Sequence, residues 1–261
     1  MAIFETQNLA VGYTHGKQTT TLLSGLNLSL DSGQLVALLG QNGAGKSTLI
    51  RALTFATKPI EGKILLHGVD FDTITKSERA RLLGLVSTER IQAGALTVSE
   101  LVGLGRQPYT GFLGRLSDDD RAIVADAIRS VGMSHKAESF VANLSDGERQ
   151  KVMIARALAQ HTPIIVLDEP TAFLDAASRI ETMQLRAALA HEQGKAILLS
   201  THDISRSLML TDQLWVITRD RQVLTGATPE MVRSQAMNQV FANPSITFNP
   251  THCDYESTPL E

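Results

Sequence analysis

Residues 40–47 carry the strongest chemical signal in this chain of 261 residues. They fit the phosphate-binding pattern G-x-x-x-x-G-K-S/T at every fixed position. Glycines keep side chains out of such a loop, so its backbone N–H groups can converge on phosphate oxygens. Lys46 is expected to reach the terminal phosphates of a nucleotide, and the Ser47 hydroxyl to bind Mg²⁺. The predicted nucleotide-binding residues here are Gly40, Gln41, Asn42, Gly43, Ala44, Gly45, Lys46, Ser47 and the adjoining Thr48.

The segments on either side of this loop support the phosphate-binding interpretation. An apolar run at residues 35–39 predicts a strand before the loop, and residues 48–53 predict a helix after it. That helix would add the positive end of its dipole to the site. A glycine-rich turn without a ligand is the alternative, and it is disfavoured because all eight residues fit the pattern between a strand and a helix.

Two carboxylates close a second apolar run. Residues 164–167 are uninterruptedly apolar, and Asp168 and Glu169 follow them. Such strands belong in the middle of parallel sheets, whose carboxyl ends hold ligands. With a phosphate-binding loop in the chain, we expect Asp168 to hold Mg²⁺ and Glu169 to orient or deprotonate an attacking water. The alternative is a chance pair of acids at a strand end.

Two further side chains are candidates for a nucleotide site. His202 follows the apolar run 196–200, where it could contact a γ-phosphate or serve a purely structural role. Tyr13 is predicted to lie in a loop after a first strand at residues 3–11. Its ring could stack on a nucleotide base or pack locally. Position alone leaves the alternatives open for both residues.

The stretch from about residue 97 to residue 160 is predicted to be helical. Ser117 is expected to cap a helix that begins with three aspartates at 118–120, and capping explains these acids without a metal. The sequence Leu-Ser-Asp-Gly-Glu at 144–148 opens a further helix. Ser145 and Glu148 have the spacing of a capping box.

Composition limits the classes of function. The chain is 43% hydrophobic and 20% charged with a net charge of −3, which is ordinary for a globular protein. It lacks the basic excess that nucleic-acid binding usually needs, so no nucleic-acid partner is expected. Cys253 is the single cysteine, which favours a reducing compartment. We find neither a targeting peptide nor an apolar run of the ~18 residues that a membrane span requires.

The motifs together resemble a known family. In order they are residues 40–47, 144–148, Leu-Asp-Glu-Pro-Thr at 167–171, Asp175 and His202. This set closely resembles the ATP-binding subunit of ABC transporters, over nearly the whole chain. In detail it is similar to the ATPases that import iron–siderophore, haem and cobalamin. The narrower match is carried by Asp-Gly-Glu at 146–148, Gly-Arg at 105–106 and the run 171–175.

The resemblance implies a fold and a domain division. The implied fold is α/β, a P-loop NTPase (RecA-like) core with a mainly parallel sheet. An N-terminal antiparallel β subdomain and an inserted helical lobe at about 97–160 complete it. The ATP-binding domain would span residues 1–245 and a C-terminal tail residues 246–261, which we expect to be loose after Pro250.

The resemblance also implies roles for individual residues. The subunits would form a head-to-tail homodimer that sandwiches two ATP molecules with Mg²⁺. Ser145 and Gly147 of one subunit would then bind the γ-phosphate held by the phosphate-binding loop of the other. The remaining implied roles are adenine stacking for Tyr13, catalytic base for Glu169, dimer contact for Asp175 and γ-phosphate switch for His202.

The implied activity is ATP hydrolysis coupled to transport. Polytopic membrane permease subunits would be the direct partners, with a substrate-binding protein involved indirectly. The chain would lie peripherally at the cytoplasmic face of the cell membrane. A soluble ABC-type ATPase acting on DNA or ribosomes is the alternative, disfavoured because the chain has no second ATPase domain, long coiled coil or basic surface. A non-enzymatic nucleotide-binding regulator is disfavoured by the presence of Lys46, Asp168 and Glu169.

Two positions depart from the family pattern. A glutamine usually follows the strand that ends near Ser87, where it senses Mg²⁺ and ATP. By count Thr88 occupies that position, and Glu89 and Gln92 follow at one and four residues. The sequence leaves open which of the three takes this role. Asp146 stands where many relatives have glycine, which is usual within the metal-chelate importers.

Overall fold

The computed structural model describes residues 2–16, 18–87, 95–111, 114–169, 176–234, 236–240 and 245–257. The strands are β1 (Ala2–His15), β2 (Gln18–Leu26), β3 (Ser29–Asp31), β4 (Leu35–Leu39), β5 (Glu61–Leu66), β6 (Val69–Asp70), β7 (Leu83–Val86), β8 (Ile164–Asp168), β9 (Ala196–Ser200), β10 (Gln213–Ile217), β11 (Val223–Ala227), β12 (Ile246–Asn249) and β13 (Asp254–Ser257). The helices are α1 (Lys46–Leu53), α2 (Lys76–Leu82), α3 (Val98–Gly103), α4 (Asp118–Ser130), α5 (Asp146–Ala159), α6 (Ala176–His191), α7 (Ile204–Leu210) and α8 (Thr228–Arg233). The chain divides into two compact units, a first unit of Met1–Ile74 with Ala187–Glu261 and a second unit of Thr75–Arg186.

The N-terminal strands of the first unit form an antiparallel sheet. Its order is β2-β1-β5-β6, and β3 pairs with β1. Strand β1 has 14 residues and reaches well beyond the predicted end at residue 11. Tyr13 therefore lies within β1, paired with Thr20 of β2, and its prediction as a loop residue was wrong. The pairing with β2 continues as far as His15 opposite Gln18, and it extends the strand past Gly12.

The same unit holds a second set of strands in the order β11-β10-β4-β9. Strand β4 runs parallel to both β9 and β10, and every residue of β4 and β9 is buried. Burial on both faces favours apolar side chains, which explains the continuous apolar runs at 35–39 and 196–199, and only the last residue of β9, Ser200, is polar. In the register, Leu38 stands opposite Ser200, so β4 and β9 end at the same edge of the sheet.

Strands β12 and β13 form an antiparallel hairpin near the end of the chain. Phe248 of β12 is only 4% exposed and belongs to a buried apolar cluster that also contains Leu39 and Leu208. The expectation of a loose tail after Pro250 was therefore wrong as far as residue 257. The prediction followed the polar composition of the tail and gave no weight to two aromatic side chains, Phe248 and Tyr255, which pack on this cluster.

The second unit combines parallel strands with helices. Strands β7 and β8 pair in parallel, and α3, α4 and α5 pack against one another. The capping box predicted at Ser145 is confirmed, Ser117 caps α4 as predicted, and Thr97 forms another box with Glu100 at the start of α3. Thr75 forms a fourth box with Glu78, which the sequence analysis missed although the S/T-x-x-E spacing is present.

A buried ion pair lies beneath the start of α4. Arg106 Nε donates to Asp120 Oδ1 at 2.8 Å, and Arg106 Nη1 donates to the Ala159 carbonyl at 2.8 Å. The hydrogen bond from Arg106, followed by those from Ser117, lowers the pKa of Asp120 to about 2. The centroid of the Tyr109 ring lies 4.0 Å from the Arg106 guanidinium carbon. Asp120 thus takes part in the cap of α4, and through Arg106 it also connects α4 to the end of α5.

None of the helices in the described ranges combines the length and the apolar character needed to cross a membrane.

Candidate nucleotide-binding site

The phosphate-binding loop connects β4 to α1 in the first unit. Gly43 has φ +80° and Gly45, the residue before α1, has φ +110°. Side chains with a Cβ rarely adopt these values, so the two glycines are required by the turn itself. The Ala44 N–H donates to the Gln41 carbonyl at 3.1 Å, and the Leu49 N–H donates to the Gly45 carbonyl at 2.8 Å. The loop is therefore a compact turn that leads directly into the helix N-terminus.

Lys46 is the first residue of α1 and is only 5% exposed. Its Nζ donates to the carbonyls of Gly40 and Gln41, at 2.9 and 3.2 Å. The ammonium group is thereby held over the loop, where it can exchange these carbonyls for phosphate oxygens. Ser47 is exposed, as are the loop residues 41–43. These features fit a nucleotide whose phosphates lie in the loop.

His202 lies at the same sheet edge as the phosphate-binding loop. Leu38 is opposite Ser200 in the sheet. Gly40, the first residue of the loop, is two residues after Leu38, and His202 is two residues after Ser200. The Thr201 N–H donates to the Leu38 carbonyl at 3.3 Å, which keeps the chain attached to β4 one residue before His202. His202 is exposed and can meet a ligand at that edge.

Tyr13 presents an exposed ring in the first unit. Its relative exposure is 56%, high for an aromatic residue within a strand. A large exposed aromatic surface can serve as a stacking platform for a base. The local-packing alternative that the sequence left open is disfavoured by this exposure.

In the second unit, Asp168 is the last residue of β8 and Glu169 follows it. Both side chains are half-buried. Glu169 has φ +42°, a left-handed conformation that costs a non-glycine residue roughly 1–3 kcal/mol. Such strain persists where the surroundings require it, and it supports Glu169 as a functional residue. Sequence reasoning identified the acid but had no signal for its backbone conformation.

Ser145 caps α5 and is exposed at the helix N-terminus in the second unit. Its N–H donates to Glu148 Oε2 at 3.0 Å, and its Oγ accepts from the Glu148 N–H at 3.3 Å. Lys136 Nζ donates to Glu148 Oε1 at 2.5 Å, and this contact, more than the cap itself, lowers the pKa of Glu148. Lys136 was missed by sequence reasoning because nothing at a separation of 12 residues indicates the contact.

Several predicted residues lie outside the described part of the chain. They are Asp175 and the three candidates for the sensing glutamine, Thr88, Glu89 and Gln92. Within the ranges that the structure does describe, no group of three or more His, Cys, Asp or Glu residues could hold a metal ion. The expected Mg²⁺ donors differ from such a cluster, because a hydroxyl and one carboxylate share the ion with substrate phosphates.

Comparison with known proteins identifies the family. The model of the ABC transporter family matches residues 23–172, more than half of the chain. The chain therefore belongs to the ABC transporter family, as the order of its motifs predicted.

Several known proteins are similar to this chain over most of its length. An uncharacterised ABC transporter ATP-binding protein of Methanocaldococcus jannaschii is 36% identical over 239 residues, which is 92% of this chain and 81% of the relative. The iron(3+)-hydroxamate import ATP-binding protein of Bacillus subtilis is 33% identical, over 92% of this chain and 88% of the relative. The ferric enterobactin transport ATP-binding protein of Escherichia coli is 33% identical, over 90% and 85%.

Solved structures show the same fold. A metal-chelate type ABC transporter in an inward-facing conformation matches with a TM-score of 0.81 and 25% identity, over 100% of this chain and 98% of that one. A dimeric bacterial ABC transporter cassette matches with a TM-score of 0.72 and 27% identity, over 86% and 98%. The predicted fold class, an α/β ABC-type cassette, is confirmed.

Proposed function

We propose that this chain hydrolyses ATP to power the import of a metal chelate of the iron–siderophore, haem or cobalamin type. The observation that carries the proposal is full-length similarity to subunits of such importers, with every motif residue present except the usual sensing glutamine. The alternative of a soluble ABC-type ATPase acting on DNA or ribosomes has no counterpart in these relatives.

The residues of the site divide the chemistry of hydrolysis among them. Lys46 binds the terminal phosphates through its ammonium charge, and the glycine-rich loop supplies backbone donors. Ser47 and Asp168 would hold Mg²⁺, and the ion would neutralise charge on the phosphate oxygens. Glu169 orients the attacking water and accepts its proton, and His202 contacts the γ-phosphate. Tyr13 stacks on the adenine.

The working assembly is a homodimer bound to membrane-spanning permease subunits. Ser145 and Gly147 bind the γ-phosphate held by the opposite subunit, since a helix N-terminus attracts phosphate from either chain. Asp175 contributes to the dimer contact. ATP brings the two subunits together and hydrolysis releases them. The permease receives this motion at the cytoplasmic face of the membrane, and a substrate-binding protein delivers the chelate on the far side.

Membrane isolation followed by transport measurement tests this function. The tagged chain should be recovered from membranes with a polytopic protein that mass spectrometry identifies, and the reconstituted complex should accumulate a labelled ferric chelate in vesicles only with ATP. Glu169→Gln is the matched control, because it should retain the complex but abolish uptake. Recovery with ribosomes or DNA, and no uptake by the complex, would favour the alternative function.

A further inference from the structure

The C-terminal hairpin, residues 246–257, packs on the helix that follows His202. Phe248 of β12 shares its buried cluster with Leu208 of α7, and Ile204 at the start of α7 packs against the same cluster. Tyr255 of β13 packs there too, with its ring centroid 5.3 Å from that of Phe248. The two aromatic side chains thus belong to the same packed cluster as Ile204 and Leu208 of α7.

Two hydrogen bonds fasten the hairpin to the chain at residues 236–239. The Phe248 N–H donates to Asn238 Oδ1 at 2.7 Å, and the Tyr255 hydroxyl donates to the Met237 carbonyl at 2.5 Å. Burial raises the pKa of Tyr255, so the hydroxyl remains protonated and continues to donate. Both strands of the hairpin are therefore attached to the segment 236–239.

A cavity separates the hairpin from His202 itself. Its volume is about 340 Å³. One wall is the run from His202 to Ser205 and the other belongs to the hairpin, and the lining residues are His202, Asp203, Ile204, Ser205, Ile246, Asp254 and Tyr255. The hairpin therefore bounds the space beside His202 and also belongs to the cluster in which α7 packs.

Helix α7 has little stability of its own. It contains seven residues, and its first turn has no side-chain cap. Isolated helices of this length are unstable in water, so tertiary packing must determine where α7 lies. The chain is attached to β4 through Thr201, and Ile204 and Leu208 pack in the cluster that β4, α8 and the hairpin also enter.

We propose that the C-terminal hairpin positions His202 for ATP hydrolysis, with Phe248 and Tyr255 as the positioning residues. This inference rests on the proposed role of His202. Loss of the hairpin contact lets α7 move, and the imidazole of His202, two residues before α7, moves with it. The phosphate-binding loop is held by its own turn and by α1, so the nucleotide Kd is expected to survive the loss of the hairpin contact even though Leu39, before the loop, belongs to the same cluster.

Substitution of Phe248 tests the proposal against a matched core variant. Phe71 is also a buried phenylalanine of the first unit, but it packs on Phe55 and belongs to the segment of β5 and β6. Phe248→Ala should lower kcat up to the ~10²-fold that a misplacement of about 1 Å can cost, with the Kd for a fluorescent ATP analogue unchanged. Phe71→Ala should keep the parent's kcat. Both are assayed at a temperature where circular dichroism shows the variants folded.

A milder variant covers the case in which Phe248→Ala fails to fold. Tyr255→Phe keeps the ring and removes only the hydrogen bond to the Met237 carbonyl. It should lower kcat by a smaller factor, again without a change in nucleotide Kd. A parent-like kcat in Tyr255→Phe and in any folded Phe248→Ala would overturn the proposal.

A double variant shows whether the hairpin acts through His202. His202→Ala with Tyr255→Phe should have the same kcat as His202→Ala alone. Once the imidazole has been removed, a change that acts only by moving the imidazole has no further effect. Independent, multiplying losses would overturn the proposal while leaving His202 its role. A parent-like kcat in His202→Ala would remove the role of His202 and this inference with it, whereas the ATPase assignment is tested separately by Lys46→Ala.

Discussion

Lys46 is both charged and almost wholly buried, and few lysines in proteins combine these two properties. Its ammonium group is held by the carbonyls of Gly40 and Gln41, which are neutral acceptors. A phosphate would bring a full negative charge to the same place, so the Coulomb attraction between two opposite charges would be added to the hydrogen bond from the ammonium group. The Lys46 ammonium group is therefore expected to bind a polyphosphate more tightly than it binds the two loop carbonyls.

Lys46→Ala is expected to weaken ATP binding and abolish turnover, because the terminal phosphates lose their main charge partner. Binding of a fluorescent ATP analogue and release of phosphate measure the two effects. Lys58→Ala is the matched control, since that lysine is exposed and pairs with Asp72 at the surface. Near-normal hydrolysis by a folded Lys46→Ala protein would overturn the phosphate-binding assignment.

Asp168 and Glu169 are adjacent in sequence but should respond differently to the loss of charge. Glu169→Gln keeps the shape of the side chain and removes the carboxylate, so hydrolysis should fall by roughly 10²–10⁴-fold while ATP binding survives. Asp168→Asn should impair Mg·ATP binding as well. Because opening of the dimer depends on hydrolysis in the proposed mechanism, Glu169→Gln should also accumulate as an ATP-bound dimer on gel filtration. Activity close to the parent's, or a loss of activity without a trapped dimer, would contradict the assignment.

At the scale of secondary-structure elements, the N-terminus of α5 has a structural and a proposed functional role. The box between Ser145 and Glu148 satisfies the first turn of the helix, and Lys136 fixes the carboxylate of Glu148 from outside. The cap leaves Ser145 exposed, so the same residue is available to a phosphate. A helix N-terminus has four N–H groups without an intrahelical partner, and the Ser145 side chain accepts from one of them, the Glu148 N–H, so one motif can serve both as a cap and as a phosphate site.

Ser145→Arg should block ATP-driven pairing of subunits while leaving nucleotide binding to one subunit largely intact. The substitution also removes a cap, which costs about 1 kcal/mol. Ser117→Arg provides the matched control, because Ser117 caps α4 in the same way without belonging to the motif at 144–148. Light scattering with and without ATP measures the pairing. Unimpaired dimerisation of Ser145→Arg, or equal impairment of Ser117→Arg, would count against the proposed sandwich.

At the scale of the whole molecule, Arg186 of α6 is an unusual component of the core. It is fully buried, and its Nη1 donates to Met183 Sδ at 3.3 Å. Its Nε and Nη2 have no hydrogen-bond partner in the structure as described. Burial lowers the pKa of Arg186 to about 9, because the charged form is disfavoured away from water. The guanidinium is still charged at neutral pH, so its burial opposes folding there.

Arg186→Met should therefore stabilise the protein by about 1–3 kcal/mol, the cost of a buried unsatisfied polar group. The midpoint of urea denaturation should rise without a change in its slope. As pH rises from about 9 the parent should gain stability relative to the variant, because the folded state releases the proton of Arg186 before the unfolded state does. Arg129→Met, on the exposed surface of α4, should change stability by less than about 0.5 kcal/mol. A lower midpoint for Arg186→Met would show that the arginine stabilises the fold.

The sequence by itself determined the features that depend on neighbouring residues. The phosphate-binding loop spans eight positions, and each capping box joins residues only three apart, so their chemistry is complete within a short segment. The buried strands β4, β8 and β9 were predictable for a related reason. A strand covered on both faces must be apolar throughout, and that pattern can be seen without knowing its neighbours.

Only the tertiary structure decided features that join distant residues. The alignment of Leu38 with Ser200, which brings His202 to the edge of the phosphate-binding loop, depends on strand order, and no local pattern encodes strand order. The placement of Tyr13 within β1 depends on pairing with β2, and the hairpin of β12 and β13 becomes ordered because the rings of Phe248 and Tyr255 find a buried cluster. In each case the deciding free energy comes from burial and pairing between segments far apart in the chain, to which local propensity contributes little.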